Sequence, residues 1–158
     1  MLTQRDLAIL DVLQKDSDTS LSKIGEKVHL SPSACSRRIA NLRDEGYIRR
    51  NVAVLDRDRL GLGTTVFVTV SARIHSAEWT ANFRRAVEAI PEIVEVYRLT
   101  GSVDYLLKIV LPSVNDYDKV YNAIVARVEM NVVHASIVME DIKHAGLPLS
   151  FVPHASSR

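Results

Sequence analysis

Two helical patterns around a tight break, a later switch to period-two alternation, and the order of strand-like and helix-like stretches after residue 63 together predict an α+β chain. The predicted architecture is an N-terminal winged helix-turn-helix followed by a C-terminal ferredoxin-like βαββαβ sandwich. The patterns place the helix-turn-helix at 1–50, a wing strand and linker at 51–63, the sandwich at 64–146 and a C-terminal tail at 147–158. With 158 residues, 47% of them hydrophobic, there is room for two small cores.

The first helix is expected from Thr3 to Gln14: Thr3 is a good N-cap, and Asp6 three residues later completes a capping box. Ser20 caps a second helix in which Leu21, Ile24 and Val28 share one side, and Gly25 leaves room for a close helix contact. The break at His29 and Leu30 allows only a sharp turn. Histidine is among the non-glycine residues that tolerate positive φ, so the turn is expected to carry some strain. Ser31 caps a third helix, Pro32 suits its first position, and Gly46 supplies a stop after Glu45. Cys35, Ile39 and Leu42 form its buried stripe. After Tyr47 and Ile48, the alternation of Val52, Val54 and Leu55 reads as the strand of a wing.

The outward face of the third helix carries the chemistry. Ser33, Arg37, Ala40 and Asn41 point away from the buried stripe, with Ser36 and Arg43 on one flank and Arg38 on the other. A solvated helix normally mixes acids into such a face, yet none precedes Asp44. Neutral hydrogen-bonding groups and cations suit the major groove of double-stranded DNA. Ser33, Ser36 and Arg37 are candidates for base edges, and Lys23, Ser31, Arg38 and Arg43 for phosphates. Arg49 and Arg50, at the entry to the wing, are candidates for flanking phosphates. From Ser20 to Arg50 seven cations stand against three acids, a net +4 within a chain of formal charge +1. The basic patch is local, and so modest a patch per subunit argues for binding as an oligomer.

From Thr64 the period becomes two. Val66, Val68, Val70 and Ala72 alternate with Phe67, Thr69 and Ser71 as a half-buried strand. Ser76 caps a helix with Trp79, Phe83, Ala86, Val87 and Ile90 on one side, and Pro91 stops it. Ile93 to Leu99 is a second strand, Gly101 and Ser102 a turn, and Tyr105 to Leu111 a third strand closed by Pro112. Ser113 and Asp116 form a capping pair for a helix with Tyr117, Val120, Tyr121, Ile124 and Val128, and Val132 to Ile142 is the last strand. This order implies one sheet with two helices on one face. Phe67, Val138 and Ile142 then need a cover on the other face, and the same face of a second subunit is expected to supply it.

Motifs at fixed offsets carry a resemblance over nearly the whole chain. A leading helix with Leu7 to Gln14, then Leu21-Ser22, Leu30-Ser31-Pro32, Arg37-Arg38-Ile39 and Gly46-Tyr47-Ile48, resembles the Lrp/AsnC family, the feast/famine transcriptional regulators of bacteria and archaea. The chain departs from that pattern at His29, where a glycine is usual. The second half resembles the family's effector domain, a ferredoxin-like unit that dimerises through its sheet and assembles into rings of dimers. The family's Gly-x-x-Asp-Tyr turn appears as Gly101, Ser102, Val103, Asp104 and Tyr105. The resemblance implies that this loop helps to hold a free amino acid, and no other cofactor, at the contact between dimers. Asp104 would accept from the α-ammonium group, and backbone N–H groups around Gly101 and Ser102 would hold the α-carboxylate. Val133, Ala135 and Ser136 are the candidate contacts from the neighbouring strand. Taken without the resemblance, Gly101 to Asp104 reads as a plain hairpin. A second departure is Glu129-Met130-Asn131, where the family commonly has a Pro-Gly pair. The implied function is a sequence-specific DNA-binding transcriptional regulator responsive to a small amino acid, working as a homodimer or a higher oligomer such as an octamer. The alternative on the same fold is a sequence-tolerant architectural protein that wraps DNA.

An enzyme finds little support. Asp104, His134, Glu140 and Asp141 are imaginable acid/base partners, but His134 stands alone on an alternating strand, and His144 and His154 lack metal-ligand spacing. There is no phosphate-cradling glycine loop and no nucleophile elbow, so neither a catalytic residue nor a metal site is expected. The single cysteine, Cys35, rules out an internal disulfide and suits a reducing cytoplasm. No charged leader and apolar run opens the sequence, and no apolar stretch approaches about 18 residues, so no membrane is expected as a partner.

Overall fold

A computed structural model describes residues 1–153 and divides the chain into two compact units: Met1–Val54 together with the segment from Lys143 on, and Leu55–Ile142. The first unit is built on α1 (Gln4–Lys15), α2 (Leu21–Val28) and α3 (Pro32–Asp44). Their caps are the side chains of Thr3, Ser20 and Ser31, which accept from the backbone N–H groups of Asp6, Lys23 and Ala34. Ile9 and Val12 from α1, Ile24 and Val28 from α2, and Cys35, Ile39 and Leu42 from α3 close the core.

His29 turns the chain between α2 and α3 in the left-handed conformation, φ 55° and ψ 52°, at a cost of roughly 1–2 kcal/mol for a residue with a Cβ. Gly25 serves the same turn. A Cβ there would overlap the carbonyl oxygen of Leu30, whose N–H donates to the Gly25 carbonyl at 3.0 Å. The space it leaves therefore belongs first to the turn, with Cys35 Sγ of α3 next nearest at 3.8 Å. Gly46, at φ 79°, ends α3 and sends Ile48 back onto the core.

The wing strand expected around Val52 to Leu55 is not formed. Asn51 to Asp56 is irregular, and Val52, Val54 and Leu55 are exposed. Alternation creates a strand only where a second strand completes the ladder, and among the described residues none lies alongside. The segment from Lys143 returns to the helices. The Gln14 carboxamide oxygen accepts from the Leu147 N–H at 2.8 Å, and its NH2 donates to the Leu147 carbonyl at 3.2 Å. After a short 3-10 turn, Leu149–Phe151, Val152 packs against the three-helix core.

The second unit contains β1 (Thr64–Ala72), α4 (Ala77–Glu88), β2 (Ile93–Arg98), β3 (Tyr105–Leu111), α5 (Tyr117–Val125) and β4 (Met130–Ile137). The sheet order is β2-β3-β1-β4 with every pairing antiparallel, which is the ferredoxin-like arrangement. Val66, Val68 and Val70 of β1 and Tyr105, Leu107, Ile109 and Leu111 of β3 meet Phe83, Ala86, Val87 and Ile90 from the α4 side and Val120, Ile124 and Val128 from the α5 side.

The end of β4 and the start of α5 differ from the sequence reading. β4 ends at Ile137, opposite Val66, although β1 begins two residues earlier at Thr64; only the N–H of Val138 makes one further bond, to the Thr65 carbonyl. Ile142 is consequently exposed beyond the sheet, whereas Phe67 and Val138 are half-buried. Ser113 caps a 3-10 turn, Val114–Asp116, rather than α5 itself, and the Asp116 carboxylate takes Lys119 at 2.9 Å instead of capping. Among the described residues no helix is long and apolar enough to cross a membrane. His154 lies outside the described residues.

Candidate nucleic-acid interface and effector loop

Buried Cys35, Ile39 and Leu42 fix the roll of α3, so Ser33, Ser36, Arg37 and Arg43 face solvent. Arg37 has no hydrogen bond or ion pair among the described residues. Lys23 of α2 is exposed, as are Arg49 and Arg50, which follow the half-buried Ile48. The Ser31 hydroxyl is occupied: it caps α3 and lies 3.1 Å from the Ser33 hydroxyl.

Arg38 departs from the expected phosphate role. Its Nη1 donates to Asp6 Oδ1 at 2.7 Å and lies 3.5 Å from Thr3 Oγ1, so the guanidinium is turned back onto the start of α1. Asp6 is one of few buried polar residues, and its other oxygen accepts from the Thr3 N–H at 2.9 Å and from the Thr3 hydroxyl. Burial acts to raise the Asp6 pKa, but the hydrogen bonds from Thr3 and Arg38, together with the Arg38 charge, outweigh it and hold the carboxyl below the usual range. One carboxylate thus completes a helix cap and ties α1 to α3.

The Gly101–Asp104 loop joins β2 to β3, with Gly101 at φ 125°. Its Asp104 is engaged: Oδ2 accepts from the Ala72 N–H at 2.7 Å, at the irregular end of the β1–β4 pairing, and Oδ1 lies 3.6 Å from His75 Nε2. The Asp104 backbone accepts from the Leu99 N–H and donates to the Val70 carbonyl. The Tyr105 ring is buried against Phe83 at 4.3 Å and Trp79 at 5.8 Å. Val133, opposite Val70, shares the loop's end of the sheet and packs on the core. Ala135 and Ser136 lie opposite Val68 and Phe67, progressively farther along β1 and on alternate faces, so the three residues do not converge.

The imagined acid/base set is dispersed as well. Asp104 touches Ala72 at one end of β1, whereas Asp141 accepts from Arg57 Nη2 at 2.7 Å and Arg57 Nη1 donates to Thr65 at the other end. Seven strand residues, about 23 Å, separate them. His134 is exposed opposite Thr69. Among the described residues no group of three or more His, Cys, Asp or Glu side chains is placed to hold a metal ion. The Arg57 clasp and the Gln14–Leu147 pair had no sequence signal beyond the polar character of their members, because each joins residues more than 80 positions apart.

Comparison with known proteins agrees with this two-part architecture. Residues 2–49 match the winged helix-turn-helix DNA-binding family, and residues 65–148 match the Lrp/AsnC ligand binding domain. The HTH-type transcriptional regulator Zrp of Zymomonas mobilis is 46% identical over 153 residues, 96% of this chain and 100% of that protein. The crystal structure of an AsnC family transcriptional regulator from Agrobacterium tumefaciens superposes with a TM-score of 0.90 at 39% identity, covering 96% of this chain and 100% of that one. A transcriptional regulator from Neisseria meningitidis, solved as its L-Met complex, gives a TM-score of 0.88 at 32% identity over 94% of this chain and 97% of that one. The chain belongs to the Lrp/AsnC family of DNA-binding transcriptional regulators.

Proposed function

We propose that the protein reads operator DNA in pairs of sites through α3 and changes its DNA binding in response to a free amino acid held by the ligand-binding domain. The observation that carries the DNA reading is the outer face of α3, where Ser33, Ser36 and the unpaired Arg37 stand exposed with no acid before Asp44. Arg37 addresses guanine, Ser33 and Ser36 address neighbouring edges, and Lys23, Arg43, Arg49 and Arg50 take phosphates. Ser31 contributes mainly by holding the helix start, and Arg38 by bracing α3 against α1.

For the effector, the favoured contacts are the backbone N–H groups of the Gly101–Val103 turn, which suit an α-carboxylate. The L-Met complex of the Neisseria relative supports an amino acid as the ligand class. Asp104 shapes this loop and contributes an oxygen only at its outer side. The open sheet face, where Phe67 neighbours Lys108 and Ser136, is the proposed dimer contact. It carries a polar group of its own: Glu95 accepts from Lys108 at 2.9 Å and from the Tyr97 hydroxyl at 2.6 Å. The proposed setting is the cytoplasm, where DNA and free amino acids are both available.

The test is selection of duplexes from a random pool, followed by footprinting across a salt series. Two half-sites one helical turn, roughly 34–36 Å, or a multiple apart are expected. Equal affinity for selected and random duplexes would instead identify an architectural protein. A thermal-shift screen with the common amino acids tests the effector, because a ligand bound only by the native state raises the melting temperature.

A further inference from the structure

The DNA-binding unit contains a groove of about 430 Å3, and of the residues lining it only Arg49 and Arg50 have a role proposed above. Its walls come from three parts of the chain: Leu10 and Leu13 of α1, the segment following α3, and Leu147 with Leu149 of the returning C-terminal segment. The paired hydrogen bonds between Gln14 and Leu147 hold the third wall in place. The lining is mainly apolar, and its charged members are all cations: Lys15, Arg49 and Arg50. Lys15 is paired with Asp11 at 2.6 Å, but Arg49 and Arg50 have no partner among the described residues.

We infer that this groove binds an amphipathic carboxylate, with its hydrocarbon part against Leu10, Leu13 and Leu147 and its carboxylate on Arg49 and Arg50. The volume falls within the range of about 300–1,000 Å3 usual for small-molecule sites, where an apolar lining is combined with a few polar groups that fix orientation. An ammonium head group would meet the two unpaired guanidinium groups and no acid in the lining, and a neutral one would leave those guanidinium groups unanswered. Guanidinium and carboxylate match in shape as well as in charge. Arg49 and Arg50 are also the proposed phosphate contacts, so carboxylate and DNA must weaken each other's binding by the same factor. That consequence rests on the DNA reading above; the binding itself does not.

The probe is sodium octanoate, titrated into the full chain by calorimetry, with octan-1-ol and octylammonium chloride as controls for the tail alone and the opposite charge. Saturable octanoate binding at one site per chain is expected, with both controls at least tenfold weaker. Leu147→Glu places an acid in the wall at a side chain that is 74% exposed and whose bonds to Gln14 are made by its backbone, so the fold is retained. The double variant Arg49→Gln, Arg50→Gln removes the head-group partners. Each variant is expected to lower octanoate affinity at least tenfold, with far-UV circular dichroism and mass in solution unchanged. The inference is overturned if wild type and variants bind octanoate equally, if octylammonium binds as well as octanoate, or if no saturation occurs. A lower oligomer mass for Leu147→Glu also overturns it, since the groove would then be a contact between copies of the chain. Octanoate binding that obeys both variants but leaves DNA affinity unchanged supports the groove and overturns the phosphate role of the two arginines.

Discussion

Arg37 and Arg38 are neighbours in sequence with opposite proposed roles, and substituting each by alanine separates reading from bracing. Arg38→Ala removes the 2.7 Å charge-assisted bond to buried Asp6, which should cost about 1.5–3 kcal/mol of stability. Asp6→Ala removes that bond and both bonds from Thr3, and should cost about 2–4 kcal/mol, tempered because Arg38 can turn to water. Arg37→Ala, on the exposed face, should stay within about 0.5 kcal/mol of wild-type stability while operator affinity falls by about 1–3 kcal/mol. Arg38→Ala should keep its affinity within about threefold, below 1 kcal/mol. Urea unfolding followed by far-UV circular dichroism measures stability, and fluorescence of Trp79, which lies in the other unit, serves as the internal control. The pH dependence has a defined sign. Because the folded Asp6 pKa is depressed, its stabilisation is complete above the ordinary aspartate value of about 3.9 and is lost as pH falls through the lower folded value. The stability gap between wild type and Asp6→Asn should therefore be constant near neutrality and narrow below that value. Arg38→Ala that keeps full stability and loses as much DNA affinity as Arg37→Ala would refute the bracing role.

Three further substitutions test local geometry. His29→Gly should stabilise the first unit by about 0.5–1 kcal/mol, because glycine avoids the left-handed penalty and gives back part of the gain as chain entropy; a lower midpoint in urea would contradict this. Gly25→Ala should destabilise by more than about 1 kcal/mol, since a Cβ meets the Leu30 carbonyl and the turn must shift, and a neutral result would show that the turn yields freely. Asp104→Ala should cost about 1.5–3 kcal/mol in the second unit, read by Trp79 fluorescence, through the Ala72 N–H left unpaired. Asp104→Asn retains an acceptor and should recover most of that loss, so equal losses would mean that the bond to Ala72 contributes little.

Much of the first unit was legible because its signals are local. Thr3, Ser20 and Ser31 act on N–H groups three residues away, and the stripe of Cys35, Ile39 and Leu42 follows from helical spacing alone. Arg38 shows where that reasoning loosens. It lies three residues after Cys35 and four before Leu42, beside the stripe rather than opposite it, and its partner Asp6 is 32 positions away. The spacing located the side chain; only tertiary packing supplied the acid. Val52 to Leu55 alternates as a strand would, but pairing depends on a neighbour that no local pattern encodes. For the proposed effector loop, Gly101 to Asp104 was identifiable as a turn, whereas the Ala72 N–H that claims Asp104 depends on the register of β1 against β3 and β4.

The Gln14–Leu147 pair has a consequence for synthesis. Its partners are 133 residues apart, so at translation rates of roughly 5–20 residues per second the ribosome needs about 7–27 s to supply Leu147 after Gln14 has been made. Through that interval α1, α2 and α3 can assemble, but the flank of α1 carrying Leu10 and Leu13 lacks its last wall. The ligand-binding domain, lying between the two contributions, has time to fold first. A ribosome-bound chain halted before residue 147 should thus display a three-helix unit that is more readily cut by protease along α1 than the released protein.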